Sequence, residues 1–118
     1  MDKECTIYRT ADFIGKRWTL PILLELHKGG GWKRYTLLKS RLGGITPKML
    51  SERLKELERE GMVSKKTDAK NFPVKCEYSL TGSGKDFIGV IKEIKRWSLR
   101  WKFRNQKCKG TDCIHCEL

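Results

Sequence analysis

No stretch of this chain approaches the roughly 20 consecutive apolar residues that a helix needs to cross a bilayer. The opening MDKECTIYRT also lacks an apolar export segment. Both absences set the expectation of a soluble, cytoplasmic protein with no membrane partner. Histidine is scarce, with two in the chain, no serine–histidine–acid pattern stands out, and the acids are spread along helix faces. An enzyme needs a pocket of converging acids, bases or a nucleophile, so these shortages argue against one. Negative charge is short as well: 26 Lys and Arg face 14 Asp and Glu, leaving +12. That excess costs self-repulsion in the folded state and is most readily explained by a polyanionic partner. A basic membrane-surface protein would share the charge, but would want an uncluttered amphipathic helix. At 118 residues the chain is one compact domain with a modest core, which a partner subunit would help to cover.

The most legible stretch is ITPKMLSERLKELEREGM, from Ile45 to Met62. Thr46 suits an N-cap and Pro47 the first helical position, while Ile45 can pack on Leu50 as a hydrophobic staple. Gly61 can turn left-handed, letting Met62 fold back on Leu57. The spacing predicts a helix of about 14 residues, roughly 21 Å long. Leu50, Leu54 and Leu57 cluster on its inner side. Lys48, Glu52, Lys55 and Arg59 lie opposite, with Ser51 at the margin.

The surroundings give that outer face a purpose. Short helices are expected at Thr6 to Ile14, Arg17 to Leu26 and Thr36 to Leu42, with a short strand at WKRY and a glycine turn before the quoted helix. Two strands follow, MVSKKT and VKCEYSL, joined by the polar turn DAKNFP. A long helix runs from Gly84 to about Lys102, with Phe87, Val90, Ile91, Ile94, Trp97 and Trp101 on one stripe. Helix, tight turn and capped helix make a helix-turn-helix, and the basic hairpin makes it a winged one. The fold class is therefore mainly α with a small β-hairpin wing. Residues 1–104 form the DNA-binding and dimerisation domain, and residues 105–118 a cysteine-rich tail. The apolar stripe of the long helix must pack on its own domain or on another copy, and a homodimer through the N- and C-terminal helices is expected.

Candidate contacts with double-stranded DNA follow from side-chain chemistry. Lys48 and Lys55 suit guanine or phosphate, Ser51 either base type, and Glu52 cytosine or a neighbouring lysine. Thr46, Pro47 and the first-turn amides suit a phosphate. Lys65, Lys66, Lys70, Asn71 and Lys75 belong to the wing, with Lys33 and Arg34 on its flank. Arg53 borders the apolar stripe and reads as structural or phosphate-clamping.

Five cysteines with no export signal point to thiols in a reducing compartment. Cys108, Cys113 and Cys116 have the spacing C-x4-C-x2-C, which suits an iron–sulfur cluster or zinc. Cys5 is the best-placed fourth ligand. A reversible thiol switch and an inert polar tail, with almost nothing apolar around the thiols, are the competing readings.

Cys5, IGKRWTLPIL (Ile14 to Leu23), ITPKMLSERLKELEREGMV (Ile45 to Val63) and PVKCEYSLTGSG (Pro73 to Gly84) occur in an order that resembles the HxlR-type winged helix-turn-helix transcriptional regulators, a branch akin to the MarR group. The likeness covers most of residues 5 to 90. Val74, Cys76 and Gly82 depart from its usual pattern. The resemblance implies a homodimeric regulator whose helix from Pro47 to Glu60 enters the major groove. The segment from Lys66 to Lys75 would then reach the minor groove or backbone. It also implies that Cys5 corresponds to the cysteine that senses electrophiles or oxidants in some members. The rival reading is an RNA-binding or protein-interaction winged-helix module without operator specificity. RNA readers usually display exposed aromatics for stacking, and Trp32 is the one tryptophan here off the apolar stripes. The effector is not legible.

Overall fold

The computed structural model describes residues 1–70, 72 and 74–117. Its helices are α1 (Thr6–Ile14), α2 (Thr19–His27), α3 (Tyr35–Arg41), α4 (Pro47–Arg59), α5 (Gly82–Trp101) and α6 (Gln106–Lys109). Strands β1 (Lys33–Arg34), β2 (Val63–Asp68) and β3 (Lys75–Leu80) form one antiparallel sheet in the order β1-β3-β2. The wing is thus a hairpin with a short third strand, Val63 facing Leu80 and Lys33 facing Tyr78. Side chains of α2, α3 and α4 make the centre of the core, where Ile22, Leu23, Leu38, Leu50 and Leu57 are completely buried.

Helix α4 is built as its sequence dictates. Thr46 keeps an extended backbone, and its hydroxyl accepts from the Met49 N–H at 3.1 Å, replacing a partner that the first turn lacks. At the far end Gly61 sits at φ 78°. The Gly61 N–H donates to the Glu58 carbonyl at 3.1 Å and the Met62 N–H to the Leu57 carbonyl at 2.9 Å. Those two bonds are the Schellman closure, sealed by the burial of both Met62 and Leu57.

Helix α2 starts two residues later than expected. Trp18 takes φ 78°, which costs an L-residue roughly 1–2 kcal/mol and delays the helix to Thr19. The bend is held from outside, by Arg53 Nε donating to the Arg17 carbonyl at 2.9 Å and the Thr19 hydroxyl to that of Phe13 at 3.2 Å. Pro21 falls within the first helical turn, where its missing N–H costs little.

Helix α5 starts two residues earlier than expected, because Thr81 caps it. The Thr81 hydroxyl accepts from the Gly84 N–H at 3.2 Å and donates to the Gly61 carbonyl at 2.6 Å. One side chain therefore fastens the end of α4 to the beginning of α5. At about 100° per residue, Gly84, Ile88 and Ile91 face the core and are buried. Much of the apolar stripe read from the sequence points elsewhere: Val90, Ile94, Trp97 and Trp101 remain 42% to 65% exposed. Helix α1 buries no residue at all, and its Ile7 is 75% exposed.

The tail is not the apolar-free appendage that its composition suggested. It folds back on the body: the Gly29 N–H donates to the Ile114 carbonyl at 2.9 Å, and Lys95 Nζ to that of Thr111 at 2.7 Å. Asp112 accepts from the Ile114 N–H and caps a 3-10 turn, Cys113–His115. Cys113 is 8% exposed. The backbone of α2's exit supplies the anchor, which side-chain composition does not reveal.

Candidate nucleic-acid interface

The outer side of α4 carries Lys48, Glu52 and Lys55 exposed, with Ser51 half-buried. None of the three charged residues forms an ion pair among the described residues. The helix start is braced from the neighbouring element. The Tyr35 hydroxyl donates to the Pro47 carbonyl at 3.1 Å and lies 3.3 Å from Ser51 Oγ, from which it accepts. Tyr35 is twelve residues from Pro47, and no spacing in the sequence signals the contact. It orients Ser51, so it joins the site.

The sheet parts Lys33 from Arg34, while Lys65 and Lys66 are both exposed. Lys66, Glu77 and Arg34 stand in one cross-strand row, with Arg34 and Lys66 exposed. The Lys66 ammonium lies 4.8 Å from the centroid of the Trp32 ring, a cation–π contact that stiffens an otherwise mobile side chain. Lys33, Tyr78 and Lys65 form the opposite row. Here neighbours in sequence part company. Lys33 Nζ donates to the Leu26 and Gly30 carbonyls at 3.3 and 3.0 Å, closing the exit of α2. Burial foremost depresses its pKa. Lys33 is thus occupied within the fold, whereas Arg34 is presented outward.

Between the sheet and α4 lies a cleft of about 330 Å³, bordered by Arg34, Tyr35, Ser51, Lys65, Cys76 and Tyr78. Burial, then Cys76, pushes the Tyr78 phenol up to about 12. The phenol is uncharged at neutral pH with or without that shift, and adds no repulsion to an approaching phosphate. Lys70 is exposed in the turn, where its N–H bonds Asp68 Oδ1 at 3.1 Å, and Lys75 faces Asp68 across the strands. Asn71 and Pro73 lie outside the described residues. The Thr46 hydroxyl is engaged by its cap, and Arg53 Nε by the Arg17 carbonyl, so Arg53 serves the fold.

None of the five cysteines is joined in a disulfide. Cys108, Cys113 and Cys116 line one cavity, and Cys5 is not among its walls. Cys5 is half-buried at the start of α1, which it caps through its backbone alone. Among the described residues, no three His, Cys, Asp or Glu side chains are grouped so as to hold a metal ion. No helix among them is long and apolar enough to cross a membrane.

Comparison with known proteins agrees with this geometry. A family model described as HxlR-like helix-turn-helix matches residues 13–106. The uncharacterized HTH-type transcriptional regulator YvaP of Bacillus subtilis (strain 168) is 38% identical over 93 residues, 79% of this chain and 83% of YvaP. Among solved structures, the reduced form of the transcriptional regulator YodB from B. subtilis is similar at TM-score 0.72 and 32% identity, over 86% of this chain and 97% of YodB. The redox regulator HypR in its oxidized form is similar at TM-score 0.68 and 30% identity, over 84% of this chain and 99% of HypR. The family match ends at residue 106, so most of the cysteine tail lies beyond it.

Proposed function

This chain belongs to the HxlR-like helix-turn-helix family of transcriptional regulators, and we propose that it binds a specific duplex DNA operator as a cytoplasmic homodimer. The observation that carries the reading is α4 itself, locked at both ends and offering Lys48, Ser51, Glu52 and Lys55 beside a cationic sheet. Its first turns read base edges in the major groove, where a lysine suits guanine and a serine accepts either base type. Arg34, Lys65, Lys66, Lys70 and Lys75 neutralise phosphates along the flank, a contribution that is independent of sequence and steeply sensitive to salt.

Dimerisation is supported by what one protomer leaves uncovered. A nine-residue helix with no buried residue is too short to be stable on its own. The exposed face of α5 offers Val90, Trp97 and Trp101 as its complement. Two recognition helices related by a two-fold axis would match a palindromic site with half-sites about one duplex turn apart.

Control through thiol chemistry is supported by the absence of a disulfide at any of the five cysteines and by the likeness to a redox regulator. In this reading a pair of thiols, from Cys5 or the tail, gives two protons and two electrons to an oxidant and joins as a disulfide, and the subunit arrangement changes. Zinc or an iron–sulfur cluster on Cys108, Cys113 and Cys116 fits less well, because those donors do not converge with a fourth among the described residues. Metal analysis of anaerobically purified protein tests that version directly.

Selection of bound fragments from genomic DNA, with and without oxidant, tests the main reading. The expected result is a palindromic motif whose base preferences shift in Lys48→Ala and Ser51→Ala, while Lys70→Ala weakens every sequence alike. Trp97→Glu with Trp101→Glu should give a monomer by light scattering that loses the operator. Equal binding to all duplexes, or preference for RNA, would refute operator recognition.

A further inference from the structure

The positive charge of this chain is held in two places. From Lys33 to Leu80, the span of the helix-turn-helix and wing, twelve Lys and Arg face six acids. From Lys92 to Lys109 eight Lys and Arg face Glu93 alone, and all eight but Lys95 are exposed. More than half of the +12 total therefore lies in the end of α5 and the start of the tail, outside the surface assigned above to an operator. Like charges this close repel one another and raise the free energy of the folded chain, which a bound polyanion relieves.

The fold gathers part of this charge around a groove of about 430 Å³, with Lys92, Lys95 and Arg96 of α5 on one wall and Lys109 and Asp112 of the tail on the other. No residue of α4 or of the wing lines it. Lys95 Nζ donates to the Thr111 carbonyl at 2.7 Å, which pins the tail wall in place. The Asp112 carboxylate stands 4.0 Å from Lys92 Nζ, and Glu93 holds Arg96 at 2.7 Å. Four cations against these two carboxylates leave the groove positive. Direction separates it from the dimer face. At about 100° per residue, Lys85, Lys92 and Arg96 fall within an arc of about 40° on α5. That arc lies about 150° around the helix from Val90, Ile94, Trp97 and Trp101, the face left for a second subunit. Dimerisation would keep it open.

The chemistry of this arc fits the backbone of a duplex. A bilayer would take the apolar face of α5 first, and the cations would then point away from the lipid. Single strands are held by aromatic rings that stack on their bases, and no aromatic ring among the described residues lines the groove. A duplex carries a negative charge about every 1.7 Å of its axis and asks for cations alone. We infer that the outer arc of α5 and the adjoining tail form a second, sequence-independent binding site for duplex DNA, so that one chain holds a duplex here while α4 holds another. The site does not rest on operator recognition and is measured without an operator.

The test uses the full-length protein and a fluorescein-labelled duplex of random sequence, about two helical turns long. Lys48→Ala, Lys55→Ala, Lys66→Ala and Lys70→Ala are combined to silence the α4 and wing surface, and anisotropy is read between about 50 and 200 mM salt. This background should still bind the duplex saturably. Adding Lys92→Ala, Arg96→Ala and Lys109→Ala should flatten the slope of log K against log salt by about 2.7, at about 0.9 per lost contact. Circular dichroism and the oligomeric state by light scattering should not change. With the duplex at ten times its Kd on the background protein, about a tenth of the sites stay open, so acetylation of Lys92 and Lys109 should slow about tenfold. Peptide mass mapping should show Lys65 and Lys75 of the wing reacting as before. If the sevenfold variant does not fold, the protection pattern decides alone. Loss of binding in the background protein overturns the inference, as does protection at Lys65 and Lys75 instead. So does an unchanged salt slope in the sevenfold variant, or tighter binding of a single-stranded RNA of equal length. Protection of Lys92 and Lys109 by phosphatidylglycerol vesicles and not by the duplex would overturn it too.

Discussion

Lys33 and Arg34 are adjacent cations on one short strand, and the structure assigns them opposite duties; Lys33 and Lys70 turn that into a measurable contrast. Lys70 is exposed at the wing, and in the proposed dimer on DNA Lys70→Ala would remove two phosphate contacts. The slope of log K against log salt falls by about 0.9 per contact on B-DNA, so the variant should be flatter by about 1.8. Over a fourfold rise in salt, that amounts to about a tenfold smaller loss of affinity, against a total of about 10³–10⁵ for six to ten contacts. Thermal stability should not change. Lys33→Met should behave the other way round. Its ammonium bonds the Leu26 and Gly30 carbonyls, and a net hydrogen bond with a charged donor is worth about 1.5–3 kcal/mol when well formed. Partial exposure of Lys33 and the 3.3 Å length of one bond bring the expectation to about 1 kcal/mol. That loss would lower Tm by roughly 3–6 °C in a domain of this size, with the salt slope untouched. Fluorescence anisotropy on one duplex between 50 and 200 mM salt, with calorimetry on the same proteins, reads both quantities. A flatter slope and an unchanged Tm in Lys33→Met would refute the assignment of Lys33 to the fold and of its neighbour Arg34 to the outer surface.

Three further outcomes are expected. Glu25→Ala removes the carboxylate shared by Lys28 and Arg41 within α2 and α3, and breaking such a buried pair should cost about 3 kcal/mol in urea unfolding; a loss below about 0.5 kcal/mol would mean the group is solvated. Gly84→Ala should destabilise by at least about 1–3 kcal/mol, because a β-carbon there would overlap the Met62 carbonyl oxygen at the junction of α4 and α5; a neutral result would show that this junction yields. Burial, then the Lys92 ammonium, holds His27 below its ordinary 6.5, so the unfolded chain takes up that proton first as pH falls. The stability contributed by His27 is then complete above about 6.5 and is lost as pH drops through that value toward the folded pKa. His27→Gln should flatten the Tm profile between pH 7.5 and 5, and an unchanged profile would count against the burial.

Helix α4 was legible because each of its instructions is local. Thr46, Pro47, Gly61 and Met62 act on amides and carbonyls within one turn, so sequence order is nearly the same thing as spatial order. Trp18 shows the opposite case. Its left-handed backbone is held through the Arg17 carbonyl by Arg53, 36 residues beyond Arg17, and nothing within the segment itself requires it. The long helix lies between the two. Periodicity correctly announced an apolar surface, but a helix with apolar residues over more than half its circumference has two adjacent faces. Ile88, absent from the expected stripe, turned out to be buried on one, while Trp97 and Trp101 stayed exposed on the other.

The candidate interface was legible in residue type and only partly in residue identity. A positive total of +12 points toward a polyanionic partner, yet it says nothing about which ammonium groups are available to meet one. A strand of two residues is too short for alternation to separate Lys33 from Arg34; their separation depends on registry with β3, some 45 residues further along. Lys33 looked available in sequence, and Arg53 read as structural or phosphate-clamping; both donate to backbone carbonyls in the fold. The number of cations is therefore a ceiling on phosphate contacts, not a count of them. A measured salt slope well below the value implied by the cationic residues on this face is what the fold itself demands, since part of its positive charge is employed in closing its own helices.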